Sequence, residues 1–399
     1  LPLACLFRFT MFPVTPVLCY RLFIFFLLNN LFLFIFYFSQ ITILPIYILN
    51  DLGGTLTDAG LAMTLFMVSS IAVRPFSGLI IEKLGRKKTL YLSETLFCLC
   101  AAAYVFADTL IALFIIRFLH GIWFSILTTV TVPIANEFIP PTRKGEGMGY
   151  FVMSVNLGIV LGPLLGLTLL QDFSYLFITT LLAGIIFLGF IFCFMIPIAK
   201  DVPVQRTQRR LGLNDFIEKK ALSVSVLALL ISISYASIMS YISPFADAQG
   251  LLEYASLFFV VFAISMMSLR PITGKIYDRK GPSYVIYPAI TLFALGLALL
   301  SQVQGLTGFM LAAVCVGMGF GSLQPCLQTL AIQRAPKARI GHATSTFFTC
   351  YDIGIALGSL LLGMLIAKHS YSVAYLVCAV LTLSTLAFYA LVVNRKTSH

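Results

Sequence analysis

The sequence predicts an all-α membrane protein of twelve transmembrane helices, built as two parallel six-helix repeats. Three observations carry that expectation. The chain is apolar throughout, its apolar runs are long enough to span a bilayer, and one spacing of 196 residues relates its first half to its second.

The composition comes first. Of 399 residues, 60% are hydrophobic and only 10% are charged, and the mean hydropathy is +1.00. A soluble chain would carry about 25% charged residues to cover its surface. In lipid the backbone must satisfy its own hydrogen bonds, which leaves a helix bundle or a closed barrel. Barrel strands alternate polar and apolar residues, whereas Leu176 to Ile196 is apolar nearly throughout and has the length of a spanning helix. The net charge of +11 follows the loops rather than forming one basic face, so no nucleic-acid partner is expected. The nine cysteines lie almost entirely in apolar segments, without a CxxC pair or a His/Asp cluster. They are expected to be small core residues, with no metal site. No P-loop is present, and neither ATP nor another cofactor is implied.

Twelve spans follow in order: about 22–48, 58–81, 89–107, 110–134, 146–170, 175–196, 221–243, 254–276, 284–301, 306–332, 342–367 and 373–393. Of the 26 Lys and Arg, 22 fall at the termini or in the loops that follow even-numbered spans. The other loops hold only Lys368, while Arg74, Arg117 and Arg270 lie within spans. Because cytoplasmic loops carry the excess of basic residues, both termini are expected in the cytoplasm, as in a multi-pass protein of the cell membrane. The expected organisation is a tail at 1–21, a six-helix half at 22–199, a cytoplasmic linker at 200–220, a second half at 221–393 and a tail at 394–399. The first twenty residues contain three prolines and no basic segment ahead of an apolar core and cleavage site, so they are not expected to be a signal peptide. They are either an unstructured tail or residues upstream of a start at Met11.

The repeat is explicit. A shift of 196 residues aligns Arg74-Pro75-Gly78-Gly85 with Arg270-Pro271-Gly274-Gly281. It also aligns Gly121 with Gly317, Pro140 with Pro336, Arg143 with Arg339, Gly145 with Gly341, Gly158 with Gly354 and Gly162 with Gly358. One offset over spans 2–5 and 8–11 implies a duplicated six-helix unit, with both copies in the same orientation because six is even.

The turn after the second span reads Gly78-x-x-x-Glu82-Lys83-x-Gly85-Arg86-Lys87-Lys88, and its mate reads Gly274-x-x-x-Asp278-Arg279-x-Gly281. Both resemble the signature loop between helices 2 and 3 of the major facilitator superfamily, where Asp-Arg usually stands at the Glu82-Lys83 position. The second copy keeps Asp-Arg and lacks the trailing basic triplet. Glycine permits the tight reversal and close approach, and an acid gains about 0.3–1 kcal/mol against a helix N-terminus. The resemblance implies that Glu82 lies near Gly341 and Asp278 near Gly145, latching the two halves on the cytoplasmic side.

The fifth span carries Gly158-x-x-x-Gly162-Pro163-x-x-Gly166, similar to the antiporter signature of the drug:proton antiporter branch, with Leu167 in place of a second glycine. Glycines four apart line one stripe and let a neighbouring helix come close, and Pro163 removes one ladder hydrogen bond. In the fourth span Arg117-x-x-His120-Gly121 resembles the family's Arg-x-x-Gln-Gly. Arg117 lies about 13 Å deep at about 1.5 Å per residue and shares a face with His120. A buried arginine needs a polar cavity or a partner. His120 is either a titratable addition or a hydrogen-bonding substitute for the glutamine.

Asp352, in the eleventh span, is expected about 16 Å from the cytoplasmic edge, facing away from the Gly354 stripe, with Asn156 as its repeat mate. Asp352, Arg117 and His120 are the candidates for proton coupling. Glu94 is expected at the inner rim beside local bases. In the family, helices 1, 4, 7 and 10 line the cavity. Asn30, Gln40, Gln324 and Gln328, with Asn156, are therefore candidate substrate contacts. The first span holds no acid, unlike that of many drug:proton antiporters. The resemblance implies a monomeric secondary transporter, not an enzyme, exporting a small organic molecule in exchange for protons by alternating access. Export of a metal-chelating metabolite or sugar, proton-symport uptake, lipid translocation and a non-transporting receptor remain open alternatives.

Overall fold

The computed structural model describes residues 16–170, 172–194 and 216–393. Residues 1–15, 195–215 and 394–399, which hold most of the expected tails and linker, lie outside that range. The described residues form twelve long helices: α1 Pro16–Asn50, α2 Leu56–Leu84, α3 Arg86–Ala103, α4 Leu110–Phe138, α5 Lys144–Leu170, α6 Tyr175–Phe194, α7 Lys219–Ala248, α8 Ala255–Lys280, α9 Ser283–Ser301, α10 Gly305–Arg334, α11 Ile340–Lys368 and α12 Tyr371–Phe388. All twelve are long and apolar enough to cross a membrane, so the chain is a multi-pass membrane protein.

Most helices extend past the expected spans by several residues, because a helix continues into the interfacial layer beyond the hydrocarbon. The largest difference is α1, which starts at Pro16 rather than residue 22, inside the expected tail. Proline suits a first helical position, since its missing N–H would be unpaired there in any case. Several other starts are capped by side chains. Thr55 forms a capping box with Asp58, Thr109 accepts from the Ala112 amide at 3.3 Å, and Ser370 accepts from the Val373 amide at 3.3 Å.

The chain divides into two compact units. Among the described residues, unit 1 takes those up to Pro141 together with Tyr150–Phe216. Unit 2 takes Thr142–Gly149 and everything from Ile217 onward. Helix α5 therefore starts in unit 2 and continues in unit 1.

Within each unit the seams are made by repeat glycines, as expected where lipid tails are as apolar as side chains and close packing must hold helices together. In unit 1, Gly121 of α4 packs on the Phe66 backbone of α2, and in unit 2 Gly317 of α10 packs on the Phe262 backbone of α8. Phe66 and Phe262 are themselves 196 residues apart. The duplication therefore extends from the glycines to the surfaces they meet. Aromatic rings fill the remaining space. Phe36, Phe66, Phe97 and Phe124 cluster in unit 1, and Tyr235 stacks on Phe320 at 3.6 Å in unit 2.

Candidate functional site

The two matching turns share one backbone device. Gly85 ends α2 with φ of +82°, and its amide donates to the Ile81 carbonyl at 2.9 Å. Gly281 ends α8 with φ of +94°, its amide donating to the Tyr277 carbonyl at 3.0 Å. A side chain is strained in that region, which is why glycine stands at both.

In unit 2 the acid of the turn is in place on a helix start. Asp278 Oδ1 accepts from the Gly145 amide at 2.7 Å and Oδ2 from the Glu146 amide at 3.0 Å. Both are first-turn amides of α5, which lack partners within their own helix. The approach needs glycine on both sides. A methyl on Gly274 would stand 2.7 Å from Glu146 Cα, and one on Gly145 would stand 2.9 Å from the Gly274 carbonyl oxygen. Arg270 reinforces the tie, donating to the Gly149 carbonyl at 3.5 Å. In unit 1, Gly78 is buried and Glu82 half-buried, while Lys83 and Lys87 are exposed. Arg86 pairs with Glu137 at the end of α4, and Lys87 lies over the Tyr91 ring at 5.6 Å. Arg279 of the second copy is exposed.

The glycine stripe of α5 lies on α1. A methyl on Gly162 would stand 2.7 Å from Phe38 Cβ and 2.9 Å from the Ile35 carbonyl oxygen, and one on Gly166 would stand 2.9 Å from Ile43. Gly158 meets Phe34 in the same way. Ser39 of α1 donates to the Gly162 carbonyl at 2.6 Å, and Asn30 donates to Ser154 at 2.8 Å. Pro163 sits inside the helix next to this contact. Leu167 is 43% exposed and so lies off the seam, which accounts for the tolerated departure from glycine. Unit 2 repeats the arrangement: Gly354 and Gly358 of α11 pack on Leu229, Ile233 and Ala236 of α7.

Arg117 is 2% exposed, and its partners belong to its own unit. Nε donates to the Ala62 carbonyl at 3.2 Å, one terminal nitrogen to the Tyr104 hydroxyl at 3.4 Å and the other to Met63 Sδ at 3.2 Å. The guanidinium also covers the Phe66 ring at 4.5 Å. His120 joins it through Tyr104, whose hydroxyl lies 3.2 Å from Nδ1. Phe36, Phe66 and Phe97 surround the imidazole, and its Nε2 has no hydrogen-bond partner. Tyr104, the hub of this network, was not singled out by the sequence. It lies in the 3₁₀ turn after α3, and only a tyrosine within an apolar run marks it.

Asp352 is half-buried on α11, off the stripe of Gly354, Gly358 and Leu362. Asn156 is 6% exposed. On α10, Gln324 donates to Gln328 at 3.5 Å, and the Nε2 of buried Gln328 has no partner. The Asn30 Oδ1 is likewise buried without a partner. Gln40 differs from its expected role as a substrate contact. Both ends of its amide are used by α6, donating to Thr179 at 3.3 Å and accepting from Tyr175 at 3.0 Å. Glu94 corrects the expectation of a rim residue. It is 0% exposed, and Asn29 donates to it at 3.4 Å and to Cys193 of α6 at 3.1 Å. Its helix face is turned toward α1 and α6, which depth along the helix alone does not reveal.

A duplicated twelve-helix bundle, with glycine-lined seams and buried polar groups at mid-depth, has the architecture of a secondary transporter. The Major Facilitator Superfamily model matches residues 26–359, and the chain belongs to that family of transporters. It is 25% identical over 370 residues to the multidrug resistance protein MdtG of Enterobacter lignolyticus, covering 88% of this chain and 87% of that one. It is 22% identical over 362 residues to the staphylopine export protein of Staphylococcus aureus, covering 87% and 91%. The crystal structure of the human organic anion transporter MFSD10 superposes with a TM-score of 0.79 at 14% identity, covering 93% of this chain and 99% of that one.

Proposed function

We propose that this transporter is a proton-coupled exporter of a small organic molecule, working by alternating access as a monomer in the cell membrane. Both termini and the linker at 200–220 lie in the cytoplasm. The observation that carries this reading is the α5 stripe of Gly158, Gly162 and Gly166, seated on α1, with Pro163 directly after Gly162. Such a seam holds two backbones close and has no side chain to interlock, so it suits a helix that must pivot without opening a leak. Similarity to proteins named for multidrug resistance and for export supports the outward direction. Asp352 is the proton carrier, because an acid at mid-depth gains and loses a proton as its surroundings alternate between wet and dry. Arg117 and His120, joined through Tyr104, set the electrostatics of the other unit. The uncharged amides of Asn30, Asn156, Gln324 and Gln328 contact the substrate. The Asp278 tie on α5 and its Glu82 mate stabilise one state of the cycle.

Inverted membrane vesicles with an imposed pH gradient test this, using a panel of fluorescent dyes and metabolites. At least one compound should accumulate inside, and a protonophore should abolish that accumulation. Accumulation that is indifferent to the gradient would overturn proton coupling. Equal accumulation in vesicles without the protein would overturn export by this chain.

A further inference from the structure

The imidazole of His120 sits between one polar neighbour and three rings. Its Nδ1 lies 3.2 Å from the Tyr104 hydroxyl. The rings of Phe97, Phe36 and Phe66 have their centroids 4.2, 5.5 and 5.7 Å from that of the imidazole. Both His120 and Tyr104 are buried. A buried polar network leaves little freedom in where its protons sit, because every donor needs an acceptor.

A tyrosine hydroxyl has one proton to give and two lone pairs. Arg117 can only donate, so at 3.4 Å it takes a lone pair of the Tyr104 oxygen. The Tyr104 proton then goes to His120 Nδ1, the other group on that hydroxyl. Nδ1 is therefore the bare nitrogen, and the ring proton is on Nε2. The far side of the ring agrees. Nε2 has no hydrogen-bond partner and its surroundings are aromatic, and a π face attracts an N–H and repels a lone pair. The opposite tautomer would strand both the Tyr104 proton and the Nε2 lone pair. An imidazolium would strand the Tyr104 proton and set a second cation on the hydroxyl that already serves Arg117.

We propose that His120 is a positioning residue that stays neutral through the transport cycle, directing the Tyr104 hydroxyl so that its oxygen faces Arg117. Among the described residues, every partner of that guanidinium is neutral: the Ala62 carbonyl, the Met63 sulfur, the Tyr104 oxygen and the Phe66 ring. The Tyr104 dipole is thus part of what compensates a buried cation, and the chain from Arg117 through Tyr104 to His120 polarises each bond in turn. Glutamine, the residue of the family pattern at this position, offers a carbonyl oxygen to the same proton, so the two residue types share one role. The other titratable groups electrically close to the network are Cys100 of α3 and Tyr175 of α6, a thiol and a phenol that are ordinarily uncharged at physiological pH. This assignment rests on the reading of Arg117 as part of the proton-coupling machinery, and it removes His120 from the groups that carry the proton.

Two experiments test this separately from export. In the first, the full-length protein is labelled with ¹⁵N-histidine and reconstituted in lipid, and its imidazole nitrogens are followed by NMR. The chain has four histidines, and the signal lost in His120→Gln identifies His120. It should show a bare Nδ1 and a protonated Nε2 from about pH 5 to 8, the range in which an exposed histidine gains its second proton. An imidazolium in that range, or a proton on Nδ1 of the neutral ring, would overturn the proposal. This measurement needs no substrate, so it stands even if the vesicle panel finds no exported compound. The second uses whichever compound that panel finds. His120→Leu should slow its transport about tenfold, and His120→Gln should restore most of the rate with the wild-type pH profile. In a Tyr104→Phe background, His120→Leu should slow transport no further. A shifted pH profile in His120→Gln would make His120 a proton carrier. Wild-type rates in His120→Leu, or a further tenfold loss in the Tyr104→Phe background, would overturn positioning through Tyr104.

Discussion

Replacing Asp278 with alanine removes both acceptors from the first turn of α5. The wild-type carboxylate holds the Gly145 and Glu146 amides at 2.7 and 3.0 Å. Hydrogen bonds to a charged group contribute about 1.5–3 kcal/mol each, and loss of a helix N-cap costs about 0.5–2 kcal/mol. The site is half-buried, so water replaces part of what is lost. A net cost of about 2 kcal/mol is the reasonable centre, or about a thirtyfold shift in the opening equilibrium of that turn. Hydrogen exchange read by mass spectrometry on the peptide spanning 142–149 measures it directly. Exchange there should quicken by about 10- to 100-fold in Asp278→Ala, by less in Asp278→Asn, and little elsewhere in α5. If the tie stabilises one state of the cycle, as proposed, transport should slow while protein levels stay near normal. Unchanged exchange at 142–149 together with unchanged transport would refute the reasoning and leave the turn as a topology signal.

Other perturbations follow from the same geometry. Gly162→Ala should lower stability in a detergent thermal melt by about 1–3 kcal/mol, since its methyl meets Phe38 and the Ile35 carbonyl at under 3 Å. Gly60→Ala should not, because nothing lies within 4 Å of a methyl there. Tyr104→Phe should cost about 1–3 kcal/mol by the same assay, through the hydroxyl shared by Arg117 and His120. A melt equal to wild type would mean that the two side chains do not depend on it. In a cysteine-free background, Gln304→Cys should react with an impermeant maleimide in intact cells and Arg209→Cys should not. Labelling at 209 from outside would reverse the proposed orientation.

The sequence made the backbone features legible and left side-chain direction largely hidden. Gly85 and Gly281, Gly121 and Gly317, and Gly158 and Gly354 were readable because close approach or a positive φ admits only glycine, and duplication wrote each requirement twice. Arg117 was legible as a buried cation, but its partners were not. Tyr104 and Met63 come from separate elements, and helical periodicity says nothing of which neighbour a face meets. Glu94 shows the same limit. Its distance from Lys88 suggested a rim position, whereas its rotation about α3 buries it against Asn29. The presence of an amide and an acid inside two apolar spans was the available signal. Gln40 was chosen for its polarity within α1, and only the position of α6 shows its amide already engaged.

The central claim is that Asp352 carries the proton that drives export. It is tested most directly by comparing two modes of transport in purified Asp352→Asn protein reconstituted into vesicles with an exported dye. Exchange of internal for external dye needs no net proton movement, whereas uphill accumulation under a pH gradient does. The account predicts that the variant keeps dye exchange at a measurable fraction of the wild-type rate and loses gradient-driven accumulation. Gradient-driven accumulation at the wild-type level and with wild-type pH dependence would contradict it.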